Sequence, residues 1–202
     1  MLATVTSLKA AFLTMLVATP IGVVAASGLH ASKVKVIRIA FVLLTTPMMV
    51  PVVLVAIGAF YAYVKLGILY TLTGLVLAHT ILALPLVLIV TGSALKSYDM
   101  NQELAARSLG APRWKAFLTI TLPQIRFAVV TSALLCDLTA FDEVVIAMFI
   151  SGGDNPTLTR NMFNALRNQN DPTIASISTI MIVVTSIMMV LAQVFGRSKA
   201  DK

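Results

Sequence analysis

The chain has 202 residues, 58% of them hydrophobic and 11% charged, with a formal net charge of +7 and a mean hydropathy of +0.94. Soluble domains carry about 25% charged residues, so this composition excludes an ordinary soluble globular protein, and its hydrophobicity excludes disorder. One cysteine, Cys136, excludes a disulfide framework and a cysteine-based zinc cluster, and the excess of positive charge has too little polar surface around it to form a nucleic-acid groove.

Residues 10–32, 39–64, 66–95 and 172–196 contain no Asp, Glu, Lys or Arg. A spanning helix needs roughly 20 apolar residues, and all four stretches reach that length. A further apolar segment, 127–150, includes Asp137, Asp142 and Glu143. The expected fold is therefore an all-α membrane protein of one domain, residues 1–202. Its five transmembrane helices are expected near 5–28, 36–60, 68–92, 125–150 and 173–196. Pro20, Pro47, Pro51 and Pro85 predict kinks in these spans. His79 lies alone inside the third span, where an interhelical hydrogen bond and a proton relay are both open to it.

Positive charge sets the topology. Eleven of the fifteen Lys and Arg residues fall in the first loop, the third loop and the C-terminal tail; Lys9, Lys65, Arg160 and Arg167 fall on the other side. The positive-inside rule places the third loop and the C-terminus in the cytoplasm and the N-terminus outside. Met1 stands a few residues before the first span, so this topology raises the expectation that one helix is missing ahead of it.

The third loop, 96–123, has internal punctuation. Asp99 followed by Gln102 resembles a capping box. Good helix formers run from Glu103 to Leu109. Gly110 stands where a helix stops in the left-handed conformation, and Pro112 suits the first turn of a second helix. The predicted shape is a helix-turn-helix knob. Two roles fit it: a loop resting on lipid headgroups through Trp114, Phe117 and basic residues, or a docking element for a soluble partner.

Beyond the loop, Asp137 falls about 11 residues past Arg126, near mid-membrane at ~1.5 Å per residue. A charge there normally faces a cavity or a partner. Asp142 and Glu143 lie nearer the outer end. At about 100° per residue the three acids do not share one face of a regular helix. They are candidates for a translocation path, or Asp137 pairs with a partner subunit and the other two cap the helix end. Cys136 reads as a small buried apolar residue. Residues 152–156 read as a turn. Leu158, Met162, Phe163 and Leu166 then recur near helical spacing and predict a short outer helix near 157–167. Asp171 and Pro172 resemble the N-cap and first turn of the last span.

The loop residues resemble a known motif. Ala105 and Ala106, three residues, Gly110, nine residues, Ile120, Thr121, Leu122 and Pro123 reproduce the spacing of the EAA motif of ABC-transporter permease subunits in the binding-protein-dependent importers. One position departs: Leu104 stands where the family has its glutamate, and Glu103 lies one residue earlier. Residues 46–52, 72–86, 141–154 and 170–180 resemble the spermidine/putrescine type of that family, so the likeness covers nearly the whole chain.

The resemblance implies a six-span permease fold lacking its first span, in the bacterial inner membrane, with the C-terminus cytoplasmic. It implies a second permease subunit, two cytoplasmic ATPase subunits and a periplasmic solute-binding protein as partners, besides the lipid bilayer and without nucleic acid. The chain carries no GxxxxGK[ST] phosphate loop. It is accordingly expected to be non-catalytic and without a cofactor of its own, with ATP and Mg bound by the partner ATPase. Loop 96–123 becomes the coupling loop, with Glu103, Ala105, Ala106, Gly110, Ile120, Leu122 and Pro123 as its residues. Asp137, Asp142 and Glu143 become candidates for the route of a cationic polyamine, and the outer helix a candidate contact for the binding protein. Other solutes, such as ferric ion or an opine, fit the same family. A proton-coupled carrier or membrane enzyme using His79 and Asp137 is the alternative from a different class.

Overall fold

The computed structural model describes residues 2–31, 35–168 and 173–197. Its first helix, α1 (Leu2–Ala31), buries Thr6, Ala10, Thr14, Ala18, Gly22 and Ala26 at intervals of four. The opposite face exposes Val5, Leu8, Phe12, Leu16 and Ile21. Small residues inside and large ones outside is the pattern expected in lipid. Hydrocarbon is as apolar as leucine, so helices associate through close backbone packing rather than through burial of bulky side chains. This small face packs along α4 (Leu72–Lys96) and α8 (Arg126–Asp142). Approach is closest at Gly22, where an added Cβ would fall 2.5 Å from Val87 Cγ1. Ala18, Val23, Ala83, Val87 and Cys136 form one buried cluster between these three helices, and Ala26, Leu88, Leu95 and Ile125 form a second.

Helices α1 and α4 are each long and apolar enough to cross a membrane alone. Pro20 and Pro85 lie inside these two unbroken helices. The stretch expected as a span over 36–60 is instead two helices, α2 (Lys35–Thr45) and α3 (Val52–Leu66). A single 3-10 turn, Thr46–Met48, follows α2, and the chain then bends by 102°. The prolines account for the break. Pro47 sits at the start of the 3-10 turn and Pro51 is the N-cap of α3. Neither can donate a backbone hydrogen bond, and each disfavours helical geometry in the residue before it.

The span expected over 125–150 is also divided. Helix α8 ends at Asp142, Glu143 is extended, and a short α9 (Val145–Ile150) follows. Helix α10 (Leu158–Asn168) begins after a turn in which Asn155 N–H donates to the Gly152 carbonyl at 2.9 Å. The backbone N–H of Leu158 donates to Ser7 Oγ at 2.9 Å and ties α10 to the start of α1. The last helix, α11 (Thr173–Arg197), packs on α8. Asp171 and Pro172, read as its N-cap, lie outside the described residues, as does Lys33 of the first loop.

Candidate functional site

Between α4 and α8 the chain forms the knob anticipated from its glycine and prolines. Helix α5 (Asn101–Ser108) opens under Asp99, whose Oδ1 accepts from the Asn101 N–H at 3.0 Å. The reciprocal half of a capping box is missing: Gln102 turns away and its carbonyl accepts from the Gln124 amide. The far end of α5 closes as a Schellman motif. Ala111 N–H donates to the Ala106 carbonyl at 3.1 Å, and Gly110 N–H to the Arg107 carbonyl at 3.0 Å. Gly110 adopts φ +92° to do so, a region that L side chains enter only with strain.

A second helical segment returns to the membrane. It begins with α6 (Arg113–Ala116), where Pro112 is the N-cap rather than the first-turn residue expected. It continues as a π-helical turn, Phe117–Thr121, and one final turn, α7 (Leu122–Gln124). Pro123 explains the π turn. Its missing N–H leaves the Thr119 carbonyl without an i→i−4 donor, and its ring crowds that carbonyl. The ladder widens, and Leu122 N–H reaches back to the Phe117 carbonyl. The path then bends by 78° into α8.

Three side chains hold the two limbs of the knob together. Glu103 is 5% exposed and is the one buried residue of α5. Thr121, in the π turn, donates its hydroxyl to Glu103 Oε2 at 2.8 Å. The Tyr98 hydroxyl lies 3.3 Å from Thr121 Oγ1. A hydroxyl has one proton, and that of Thr121 is committed to the carboxylate, so Tyr98 is the donor in this second contact. Leu104, Leu109 (91% exposed), Trp114 (67% exposed) and Leu118 are exposed on the knob, and Trp114 lines a groove of about 560 Å³ with Val24, Ser27 and Gly28 of α1 and Leu95 of α4. Among the expected coupling residues, Ala105, Gly110 and Pro123 are exposed, Ala106 and Ile120 are half-buried, and Leu122 packs into the core with Val129. Glu103 faces inward rather than outward.

The three acids beyond the knob separate. Asp137 is half-buried on α8. Asp142 is exposed at the end of α8 and lines a groove of about 520 Å³ with Leu138, Met162, Ser178 and Thr185. Glu143 does not join it. Its Oε1 accepts from the N–H groups of Val145 and Ile146 at 2.8 and 3.2 Å, capping α9. His79 is 2% exposed, and among the described residues neither ring nitrogen meets a hydrogen-bond partner. Sequence reasoning missed Tyr98 and Thr121, which lie 23 and 18 residues along the chain from the groups they bond.

The described residues thus form a helical body, apolar enough to enter a membrane, that carries a structured knob. Comparison with known proteins gives this arrangement a family. The family described as "Binding-protein-dependent transport system inner membrane component" matches residues 18–200. The spermidine/putrescine transport system permease protein PotC of Haemophilus influenzae is 29% identical over 195 residues, covering 96% of this chain and 76% of that protein. The putrescine transport system permease protein PotI of Escherichia coli is 34% identical over 116 residues, covering 57% of this chain and 41% of that protein. Among solved structures, the MetNI methionine ABC transporter superposes with a TM-score of 0.81 at 14% identity, covering 97% of this chain and 94% of that one.

The chain belongs to the binding-protein-dependent transport system inner membrane component family. It is a multi-pass inner-membrane permease subunit of an ABC importer, a non-catalytic component that works with an ATPase and a solute-binding protein.

Proposed function

We propose that this permease subunit conducts polyamines, spermidine or putrescine, or a related organic cation. The observation that carries the reading is the similarity to PotC along 96% of the chain. The functional complex pairs the chain with a second permease subunit and two ATPase subunits, which bind ATP and Mg, and takes substrate from a periplasmic binding protein. The knob and the C-terminus lie in the cytoplasm, in keeping with the positive charge concentrated there.

In this reading the knob docks on the ATPase through Ala105, Ala106 and Gly110, with the exposed Leu104 and Leu109 supplying apolar contact. Ile120, Leu122 and Pro123 connect it to α8. ATPase closure moves the knob as a body, and the bend into α8 passes that motion to the membrane helices. Asp142, with the hydroxyls of Ser178 and Thr185 beside it, meets the cation on its route, and Asp137 follows deeper along the same helix. Glu143 serves the route indirectly by holding α9. The exposed Phe163 and Leu166 of α10 face the binding protein. The test is uptake of labelled spermidine and putrescine into proteoliposomes holding the complete complex. Saturable uptake that requires ATP supports the reading. Uptake of ferric ion or an opine in place of polyamines, or uptake driven by a proton gradient alone, contradicts it.

A further inference from the structure

We infer that Glu103 is an internal positioning residue, the latch through which motion of α5 reaches the span, and not a contact to the ATPase. The inference rests on the coupling role proposed for the knob. The other residues of α5 leave little to hold it: Glu103 is its one buried residue, and Leu104, like Leu109 just beyond the helix, is exposed. A helix normally docks through apolar side chains; α5 docks through a carboxylate. A buried carboxylate is tolerated only when strong donors satisfy it, and the donor here is Thr121, which is 1% exposed and in turn accepts a hydrogen bond from the Tyr98 hydroxyl.

Each partner sits at a mechanically distinct place. Tyr98 follows the end of α4, Glu103 is in α5, and Thr121 closes the π turn immediately before Leu122 and Pro123. The network therefore joins the incoming span, the knob and the lead-in to the outgoing span at one point. Without it, α5 is held to the returning limb by residues 109–112, a turn pivoting at Gly110, and by surface contacts alone. Displacement of α5 would then be absorbed in that turn. With the latch closed, α5 and the π turn move together and the displacement enters α8. The Gln102–Gln124 contact spans the same two limbs at the surface.

The test compares Thr121→Val, which removes the donor at nearly constant volume, with Thr121→Ser, which keeps it. Both are measured in the complete complex in proteoliposomes as polyamine moved per ATP hydrolysed, alongside the amount of ATPase that co-purifies. Thr121→Val is expected to capture ATPase normally and to hydrolyse ATP, while polyamine moved per ATP falls about tenfold, the scale of one hydrogen bond to a charged group. Thr121→Ser is expected to stay within about twofold of native. A native transport ratio in Thr121→Val overturns the inference. So does a loss of capture, hydrolysis and uptake together in both variants.

Amide exchange in the full chain in detergent gives a second readout that needs no ATPase. Thr121→Val is expected to speed exchange across Leu104–Ser108 about tenfold, and unchanged exchange overturns the latch. Should the native chain capture no ATPase while exchange responds as expected, the coupling role fails and the latch survives as a structural link.

Discussion

Gly110 offers the sharpest single perturbation of the knob. Its φ of +92° closes the Schellman motif at the end of α5. Among the described residues an added Cβ there would meet nothing within 4 Å, so an alanine is penalised by backbone strain and not by a clash. That strain is roughly 1–2 kcal/mol for an L-residue in the left-handed region, which lowers the population of the native knob geometry by a factor of about 5–30. The body of the protein is spared because the turn is exposed and contributes to no buried cluster. Gly110→Ala should therefore leave the melting temperature of the purified chain nearly unchanged while ATPase capture in detergent falls several-fold. Gly110→Asn should fall between the two, because asparagine enters the left-handed region more readily. Gly110→Trp adds bulk on the docking face and should abolish capture. Undiminished capture by Gly110→Ala refutes the argument from strain, and collapse of the whole chain refutes the claim that the turn is independent of the core.

Other substitutions test the membrane body. Gly22→Ala should lower thermal stability in detergent by about 1–3 kcal/mol, since the new methyl lies 2.5 Å from Val87 Cγ1 and 2.7 Å from Val87 Cβ; adding Val87→Gly, which removes both atoms, should relieve the clash, whereas Val87→Ala, which keeps Cβ, should relieve only part of it. Glu143→Ala should destabilise α9 by about 0.5–2 kcal/mol through loss of its cap, speed amide exchange at Val145 and Ile146, and leave the KM for polyamine unchanged. Asp142→Asn should raise the KM for polyamine about fivefold, the scale of one partly screened ion pair, with little change in stability. A KM that moves with Glu143 and not with Asp142 would reverse the roles given to these two neighbours.

The parts of this fold that were legible in the sequence depend on local chemistry. Gly110 dictates its own turn, and the offsets from Ala105 to Pro123 identify the knob without reference to distant residues. Length and the absence of charge were enough to place α1 and α4. Apolar content was not enough to separate a continuous span from a broken one. Residues 36–60 and 125–150 are as apolar as a span requires, and the sharp bends at Pro51 and Ile125 and the break at Glu143 leave that content unchanged. For Glu143 the sequence left open a place on the route and a cap at the helix end; that it caps α9 was decided by the break before Val145. Glu103 was the least readable of all. Its spacing places it on the knob, but whether it faces the ATPase or the interior depends on Thr121 and Tyr98, and no local pattern couples those three positions. The inward small residues of α1 follow a different logic again: their interval of four is visible in the sequence, but their burial makes sense only once lipid is taken as the solvent.

The most direct test of the coupling mechanism is accumulation of labelled spermidine in proteoliposomes carrying the complete complex, with ATP supplied on the ATPase side, for the native chain and for Gly110→Trp. The native complex should accumulate spermidine only with ATP, and Gly110→Trp should accumulate none although the chain itself remains folded. Equal accumulation by both, or accumulation by the native complex without ATP, would contradict a knob that drives transport.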